Sequence, residues 1–392
     1  MKLAHLADSH LGFRQYHRQT AGGFNQREAD VGQAFRHAID QVIGAAPRVV
    51  VLAGDLFHSV RPSNPAILFA FHEFQRLRQA LPETPVILIA GNHDTARSSE
   101  TGTILTLFES VGVEVVSHEA RRLEYPHLDL SVLAVPHEAL VSPARPLLRR
   151  EGDARYQVLA THGEVDGLLP IERTGMEYGG ALLSPSELGS ADFNYVALGH
   201  YHVMKEVLPR VWYSGSTEYV STNPWGESRE EVEQRIPGKG WLLADLDDGT
   251  ASFQPLPLAR RVIDLEAINA AEHTAESVDA HIRARIEAAG PIAGQIVRQV
   301  LYDIPRHVAR ELDHAAIRAW KTEALHFHLD LRRPEARRES ATGAPGRRQT
   351  LAEIVERYLA QRPLDAGMDR EKFVQLGVGF LAEVDGEAVT GG

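Results

Sequence analysis

Five short blocks of this sequence set His, Asp or Asn beside glycine or one another. They are Asp8-Ser9-His10, Gly54-Asp55, Gly91-Asn92-His93-Asp94, Thr161-His162-Gly163 and Gly199-His200-Tyr201-His202. In Asp8/His10 and His200/His202 the i, i+2 spacing puts both side chains on the same side of an extended segment. Glycine beside such residues lets backbone and ligand come close. One buried histidine is more often a satisfied core residue than a metal ligand, and Asp-x-His alone is weak. All five blocks, however, fall at the ends of predicted strands and spread over two halves of the chain, which packing does not explain. An ionised carboxylate such as Asp55, just past a buried strand, is costly unless a cation pairs with it. The expectation is a pair of cations with Asp55 shared between them, and other ligands arriving on other strand ends.

The elements that must position these blocks read as follows. Residues 49–53, Val-Val-Val-Leu-Ala, follow Pro47 and stop at Gly54. Such an apolar β-branched run is a buried strand of a mixed or parallel sheet, and open α/β sheets gather ligand sites at such strand ends. A first strand spans residues 2–7. Val31, Ala34, Phe35, Ala38, Ile39, Val42 and Ile43 repeat at helical spacing. Ser63-Asn64-Pro65 is a helix start continuing to residue 81. A strand over 85–90, a helix over 104–110 and a strand over 113–117 complete a βαβ series. The second half carries predicted strands at 128–135, 156–161, 195–199, 212–214 and 241–245, and Asp248-Gly249 turns a hairpin into 251–255. Two sheets face to face with helices outside accommodate this pattern.

Pro255 and Pro257 mark a boundary. Beyond it a strand at 261–265, helix at 278–288, strand at 295–304, helix at 307–320 and strand at 325–331 form a small α+β unit. Residues 332–348, rich in Pro, Gly, Arg and Ser, read as a linker. A last amphipathic helix places Leu351, Ile354, Val355, Tyr358 and Leu359 on one face, and a further apolar stretch covers 373–381. Two short apolar helices past a linker have little core to join, so docking on a partner is the natural reading.

Composition bounds the chemistry. The 392 residues suffice for two domains or more, and 43% apolar with 24% charged residues is ordinary for a globular protein. With no cysteine, thiolate metal sites, disulfides and Cys nucleophiles are excluded. A formal net charge of −12 argues mildly against a general polyanion binder, though a local basic groove and bound metal both alter that balance. Met1-Lys2-Leu3 leads straight into a strand, and no apolar run approaches membrane-spanning length. The expected compartment is the cytoplasm.

In order and spacing the five blocks resemble the calcineurin-like metallophosphoesterases, whose pattern is D-x-H, G-D, G-N-H-[DE], H and G-H-x-H. The resemblance implies an α/β fold of four layers, a two-sheet β-sandwich flanked by helices, with two metals at the strand ends. It implies Asp8, His10, Asp55 and His202 on one ion, and Asp55, Asn92, His162 and His200 on the other. Three carboxylate or carboxamide groups with four imidazoles suit manganese, iron or zinc better than magnesium or calcium. His93, next to Asn92 but without a ligand role, is then placed to protonate a leaving oxygen. Asp94 is either its orienting partner or a strand-end cap.

A narrower similarity is to the SbcD group of bacterial double-strand-break repair nucleases. It rests on Leu6-Ala7-Asp8-Ser9-His10-Leu11-Gly12, on Gly54-Asp55-Leu56-Phe57-His58 followed by Arg61-Pro62-Ser63, and on Tyr213-Ser214-Gly215-Ser216-Thr217. It is sharp to about Thr217 and one of layout beyond. It implies a nuclease domain over 1–257, a DNA-capping domain over 258–331, a linker over 332–349, and helices over 350–392 that bind an SbcC-type coiled-coil ATPase. His58 in this group helps hold the phosphate or the leaving nucleotide. The implied activity is manganese-dependent 3′–5′ exonuclease and single-strand endonuclease cleavage of DNA, by a homodimer working with the ATPase. No G-x-x-x-x-G-K-[ST] occurs, so ATP dependence belongs to another chain.

Two rivals stand beside this reading. One is a small-molecule phosphatase or nucleotidase on the same two-metal site, for which cap and tail are superfluous. The other is a non-catalytic scaffold, which has no need of a complete acid and metal set. Elsewhere the bland readings hold. His326 and His328 alternate on a strand as a solvated sheet face, His37 and His72 are surface residues, and Arg332, Arg333, Arg337, Arg338, Arg347 and Arg348, interrupted by Glu335 and Glu339, belong to a solvated linker.

Overall fold

The computed structural model describes residues 1–95, 102–167, 181–334, 351–361, 369–377 and 379–380. Two six-stranded sheets lie at its centre. From edge to edge the first runs Ala251–Pro255, Gly240–Asp245, Lys2–Leu6, Val49–Ala53, Val86–Ile89 and Glu114–Val116. The last four strands are mutually parallel, and the two at the other edge are antiparallel. The second sheet runs Lys205–Leu208, Val211–Tyr213, Tyr195–Gly199, Tyr156–His162, Leu130–Val135 and Arg121–Tyr125, with its four inner strands parallel.

The Val49–Ala53 strand shows why the sandwich forms. Val49, Val51 and Ala53 pack between the sheets with Val132, Ala134, Val158, Ala160, Tyr195 and Ala197. Val50 and Leu52 pack on the other side against Val31, Phe35, Ile39, Phe74 and Leu77 of two helices. All five residues are buried because the strand is covered on both faces, the setting that selects a continuous apolar run. The covering helices are Gln26–Ala45, capped by Asn25, and Asn64–Ala80, whose cap Ser63 accepts the backbone N–H of Ala66. The expected two-sheet α/β architecture flanked by helices is observed.

Residues 262–331 form a three-stranded parallel sheet with helices Ala275–Ala289, Arg306–Glu311 and His314–Glu323, and a core of their own that includes Leu265, Val278, Ile282, Val297, Leu301 and Phe327. This subdomain belongs to the same compact unit as the sandwich, Met1–Pro334. The predicted helix over 307–320 is two helices. Asp313 breaks it, because its carboxylate accepts the N–H groups of Ala315 and Ala316 and starts a new one.

The subdomain meets the sandwich at a seam. His326 stacks on Tyr16 with ring centroids 4.0 Å apart, His328 stacks on Trp225, and Arg229 pairs with Asp264 at 2.8 Å. His326 is therefore half-buried in the subdomain's footing and not simply part of a solvated sheet face, whereas His328 is exposed, as expected from sequence. His72 is exposed as expected, while His37 is half-buried with Nδ1 3.3 Å from the Pro257 carbonyl.

The second unit, Glu335–Gly392, contains the helix Leu351–Gln361 and a helical segment over 370–377. Most of the predicted linker, including Arg337, Arg338, Arg347 and Arg348, and the side chains of Leu351 and Ile354 lie outside the described residues. Among the described residues no helix is long and apolar enough to cross a membrane.

Candidate metal centre

Parallel neighbours end at the same edge of a sheet, so the loops after residues 6, 53, 89, 162 and 199 converge there. The backbone ties them together. Asp8 N–H donates to the Gly54 carbonyl at 3.1 Å, His10 N–H to Asp55 at 3.0 Å and Leu11 N–H to Leu56 at 2.8 Å. Asp8, His10, Asp55 and His200 have φ of 50°, 46°, 51° and 105°, a region that non-glycine residues seldom occupy. Strain concentrated in candidate ligands marks a site that the surrounding fold holds in place.

Of the residues expected at the site, Asp8, His10, Asp55, His162, His200 and His202 are buried, and Asn92, His93 and His58 are half-buried. Three groups of side chains could each hold an ion among the described residues: Asp8/His10/His202, Asp8/Asp55/His162 and His10/His58/His93. Within them His10 Nε2 faces His202 Nε2 at 3.2 Å. Asp55 Oδ2 lies 3.7 Å from His10 Nε2 and 3.3 Å from His162 Nε2. Asn92 Oδ1 is 2.9 Å from His162 Nε2 and 3.2 Å from His200 Nδ1.

The donor chemistry fits divalent ions. His162 Nδ1–H donates to the Ala53 carbonyl at 2.8 Å, which leaves a lone pair on Nε2. That lone pair faces two oxygens, Asn92 Oδ1 and Asp55 Oδ2, and Asp55 Oδ2 has no hydrogen-bond donor among the described residues. Converging lone pairs repel unless a cation lies among them. The same demand appears in protonation. Burial lowers the His162 pKa, but the Asp55 and Asp8 carboxylates outweigh it and push it up to about 10. Burial drives His200 down to about 3 and His10 well below the imidazole range, keeping both neutral as ligands must be. Burial raises Asp55, yet the neighbouring His162 above all holds it well below the carboxylate range.

Close approach explains the glycines. A Cβ on Gly91 would stand 2.1 Å from Asp55 Oδ1, and one on Gly199 would stand 1.9 Å from the Ala53 carbonyl. Asp94 acts as a tie between loops. Its carboxylate accepts the backbone N–H groups of Leu56, Phe57 and Gly91, while burial and Asp55 raise its pKa to about 6. The orienting partner of His93 is instead the His58 carbonyl, 2.8 Å from His93 Nδ1. The His58 ring stacks on His93, meets Phe13 edge-on and puts Nδ1 3.4 Å from His10 Nδ1; burial and His93 lower its pKa to about 4.

Two further residues belong to this neighbourhood. His137 follows the strand Leu130–Val135, a sixth strand end whose apolar run before Pro136-His137 was available as a signal; it is buried, with Nδ1 unpartnered among the described residues. Glu227, on the helix Pro224–Glu233, has Oε1 3.4 Å from His202 Nδ1. Nothing in its local sequence announces it.

The sequence profile of the calcineurin-like phosphoesterases matches residues 1–204. The chain belongs to that family. Similar proteins include three named DNA double-strand break repair protein Mre11. The one from Methanocaldococcus jannaschii is 27% identical over 262 residues, covering 62% of this chain and 62% of its own. The one from Sulfolobus acidocaldarius is 27% identical over 296 residues, covering 73% and 72%. The one from Haloferax volcanii is 31% identical over 229 residues, covering 57% and 46%. This phosphoesterase thus spans about three fifths of the length of the Methanocaldococcus relative. Its profile match takes in all seven candidate ligands, since the last, His202, lies inside residue 204.

Proposed function

We propose that this phosphoesterase is a manganese-dependent DNA nuclease of double-strand-break repair, cutting duplex ends 3′ to 5′ and single strands internally. The observation that carries the chemistry is the position of Asp55 Oδ2, within 3.7 Å of His10 Nε2 on one side and 3.3 Å of His162 Nε2 on the other. Asp8, His10, Asp55 and His202 would hold one ion, and Asp55, Asn92, His162 and His200 the second. Bound ions supply Lewis-acid polarisation of the phosphoryl group and a nucleophile at neutral pH.

The chain's own residues supply the rest. Water adds to phosphorus and the opposite P–O bond breaks, so the departing oxygen needs a proton. His93 gives its Nδ1–H to the His58 carbonyl, which leaves Nε2 clear of that contact. A second proton carried on Nε2 would pass to the departing oxygen, and the proton released by the attacking water would replace it. His58, half-buried and stacked on His93, holds the His93 ring plane and offers its own edge to the phosphate.

The names of the relatives support DNA as substrate, and the likeness to the SbcD group implies an SbcC-type ATPase as partner. Tyr358, Leu376 and Phe380, each at least 60% exposed, fit the tail to that partner. A second copy of the chain fits the groove of about 530 Å³ between the helices Gln26–Ala45 and Asn64–Ala80, lined by Phe24, Gly32 and Phe69. The deciding experiment offers a linear DNA duplex and a chromogenic phosphomonoester in manganese. DNA cleavage is expected. Brisk monoester turnover with inert DNA would point to a small-molecule phosphatase instead.

A further inference from the structure

Behind His202 lies a buried polar cluster that the cleavage chemistry does not use. Lys239, 2% exposed, donates from Nζ to the His202 carbonyl at 2.8 Å and pairs with Glu227 Oε2. The other oxygen of Glu227 faces His202 Nδ1 at 3.4 Å. On its far side Lys239 meets Glu231 Oε1 at 2.9 Å, and Tyr219 donates its hydroxyl to Glu231 Oε2 at 2.6 Å. The ammonium also sits 4.6 Å over the Tyr219 ring. One cation therefore grips both the main chain of His202 and the carboxylate facing its ring.

We propose that Glu227 is a positioning residue for His202: it takes the Nδ1 proton, fixes the tautomer and ring plane, and leaves Nε2 aimed at the ion shared with His10. This rests on the reading of His202 as a metal ligand. Three observations carry it. The ring's two nitrogens point opposite ways, Nε2 to His10 and Nδ1 to Glu227. Ligating histidines generally give their second N–H to a carboxylate or carbonyl, which raises the basicity of the ligating nitrogen. Third, the charges do not balance within the cluster. Lys239 faces two carboxylates, Glu227 and Glu231, and among the described residues no second Lys or Arg pairs with either. A lone Lys–Glu pair would satisfy a purely structural role, whereas a surplus buried negative charge is costly unless a cation lies nearby. The Nε2 side of the same imidazole is where that cation belongs.

The sequence hides this because Glu227 lies 25 positions from His202 and Lys239 a further 12 on, joined only by the fold.

The test uses the full chain in two measurements. In the metal-free wild type, ¹⁵N spectra of the histidine side chains, with His202 assigned by its loss in His202→Asn, should place its proton on Nδ1. A proton on Nε2 overturns the proposal without any variant of Glu227. Manganese titrations followed by electron paramagnetic resonance should show two ions on the wild type. In Glu227→Gln, which leaves Lys239 paired with Glu231, one ion should weaken by about 10–100-fold and the other stay. Wild-type affinity at both sites in the folded variant overturns the role of Glu227 and leaves the metal reading intact. A wild type that binds no manganese overturns both.

Discussion

Asp55 Oδ2 stands 3.3 Å from His162 Nε2, and the other nitrogen of that imidazole is already committed to the Ala53 carbonyl. The pair is strained against itself. A buried carboxylate oxygen and a lone pair face each other, and only a cation or a borrowed proton reconciles them. Asp55 sits at the end of the central strand of one sheet and His162 at the end of a strand in the other, so the contact also joins the two halves of the sandwich.

Replacing Asp55 with Asn removes the shared charge and keeps the shape. The variant should fold, because the Val49–Ala53 strand and its packing do not involve the side chain. It should lose at least one of two manganese ions and the thermal stabilisation they confer, which scales with ligand concentration over Kd. Metal content after desalting, together with melting curves with and without manganese, measures both. Retention of two ions would remove Asp55 from the bridging position.

Much of this was legible in the sequence, and the reasons differ from element to element. The Val49–Ala53 run and the Gln26–Ala45 stripe could be read because each is covered by apolar neighbours along its length, so hydrophobic period and burial coincide. The five loop blocks could be read because their residue types are expensive anywhere but at a polar centre. The edge strands of the second sheet could not. Arg121–Tyr125 and Lys205–Leu208 open on consecutive charged residues and lack a sustained apolar alternation, and so look like loops. The Pro224–Glu233 helix escaped for a related reason: its buried residues include Glu227, Glu230 and Glu231, so its inward face does not register as apolar. Glu227 and the buried Arg27, whose partner Glu218 lies 191 positions away, are held by contacts that the fold makes and no local window reveals.

Stability should depend on pH through His5. Its ring is fully buried, taking the Tyr195 hydroxyl on Nδ1 and giving Nε2–H to the Leu198 carbonyl, and burial lowers its pKa to about 3 despite that carbonyl. The unfolded chain therefore binds a proton below about pH 6.5 that the folded chain refuses. Stability from this group is intact above pH 6.5 and declines as pH falls toward 3, by about 1.4 kcal/mol for each pH unit well inside that window. In metal-free protein, His5→Gln should melt with a shallower dependence on pH between 6.5 and 5 than the wild type. Identical slopes would mean that other groups set the acid limit.

Deleting everything after Arg348 should leave DNA cleavage intact and abolish capture by an SbcC-type ATPase. The compact unit Met1–Pro334 contains all the candidate ligands, His93 and His58, so chemistry has no need of the tail. The tail meanwhile shows Tyr358, Leu376 and Phe380 to solvent, a poor investment for a helix with no partner. A pull-down with purified ATPase checks the second half, and retained binding would move the docking surface elsewhere.

The sharpest separation of binding from catalysis comes at His93. Its backbone N–H donates to Asp55 Oδ1 at 2.9 Å, so the main chain here supports the bridging carboxylate. The imidazole gives Nδ1–H to the His58 carbonyl and packs against the His58 and His10 rings. Truncating the ring leaves the backbone bond in place. His93→Ala should therefore bind manganese like the wild type yet cleave DNA roughly 10²–10⁴-fold more slowly, the usual contribution of a general acid. A substrate whose leaving group needs no proton, such as a nitrophenyl ester of thymidine phosphate, should recover most of that loss. If His93→Ala cleaves both substrates at the wild-type rate, the departing oxygen takes its proton from elsewhere; if it loses metal, the residue belongs with the ligands' supports and not with proton transfer.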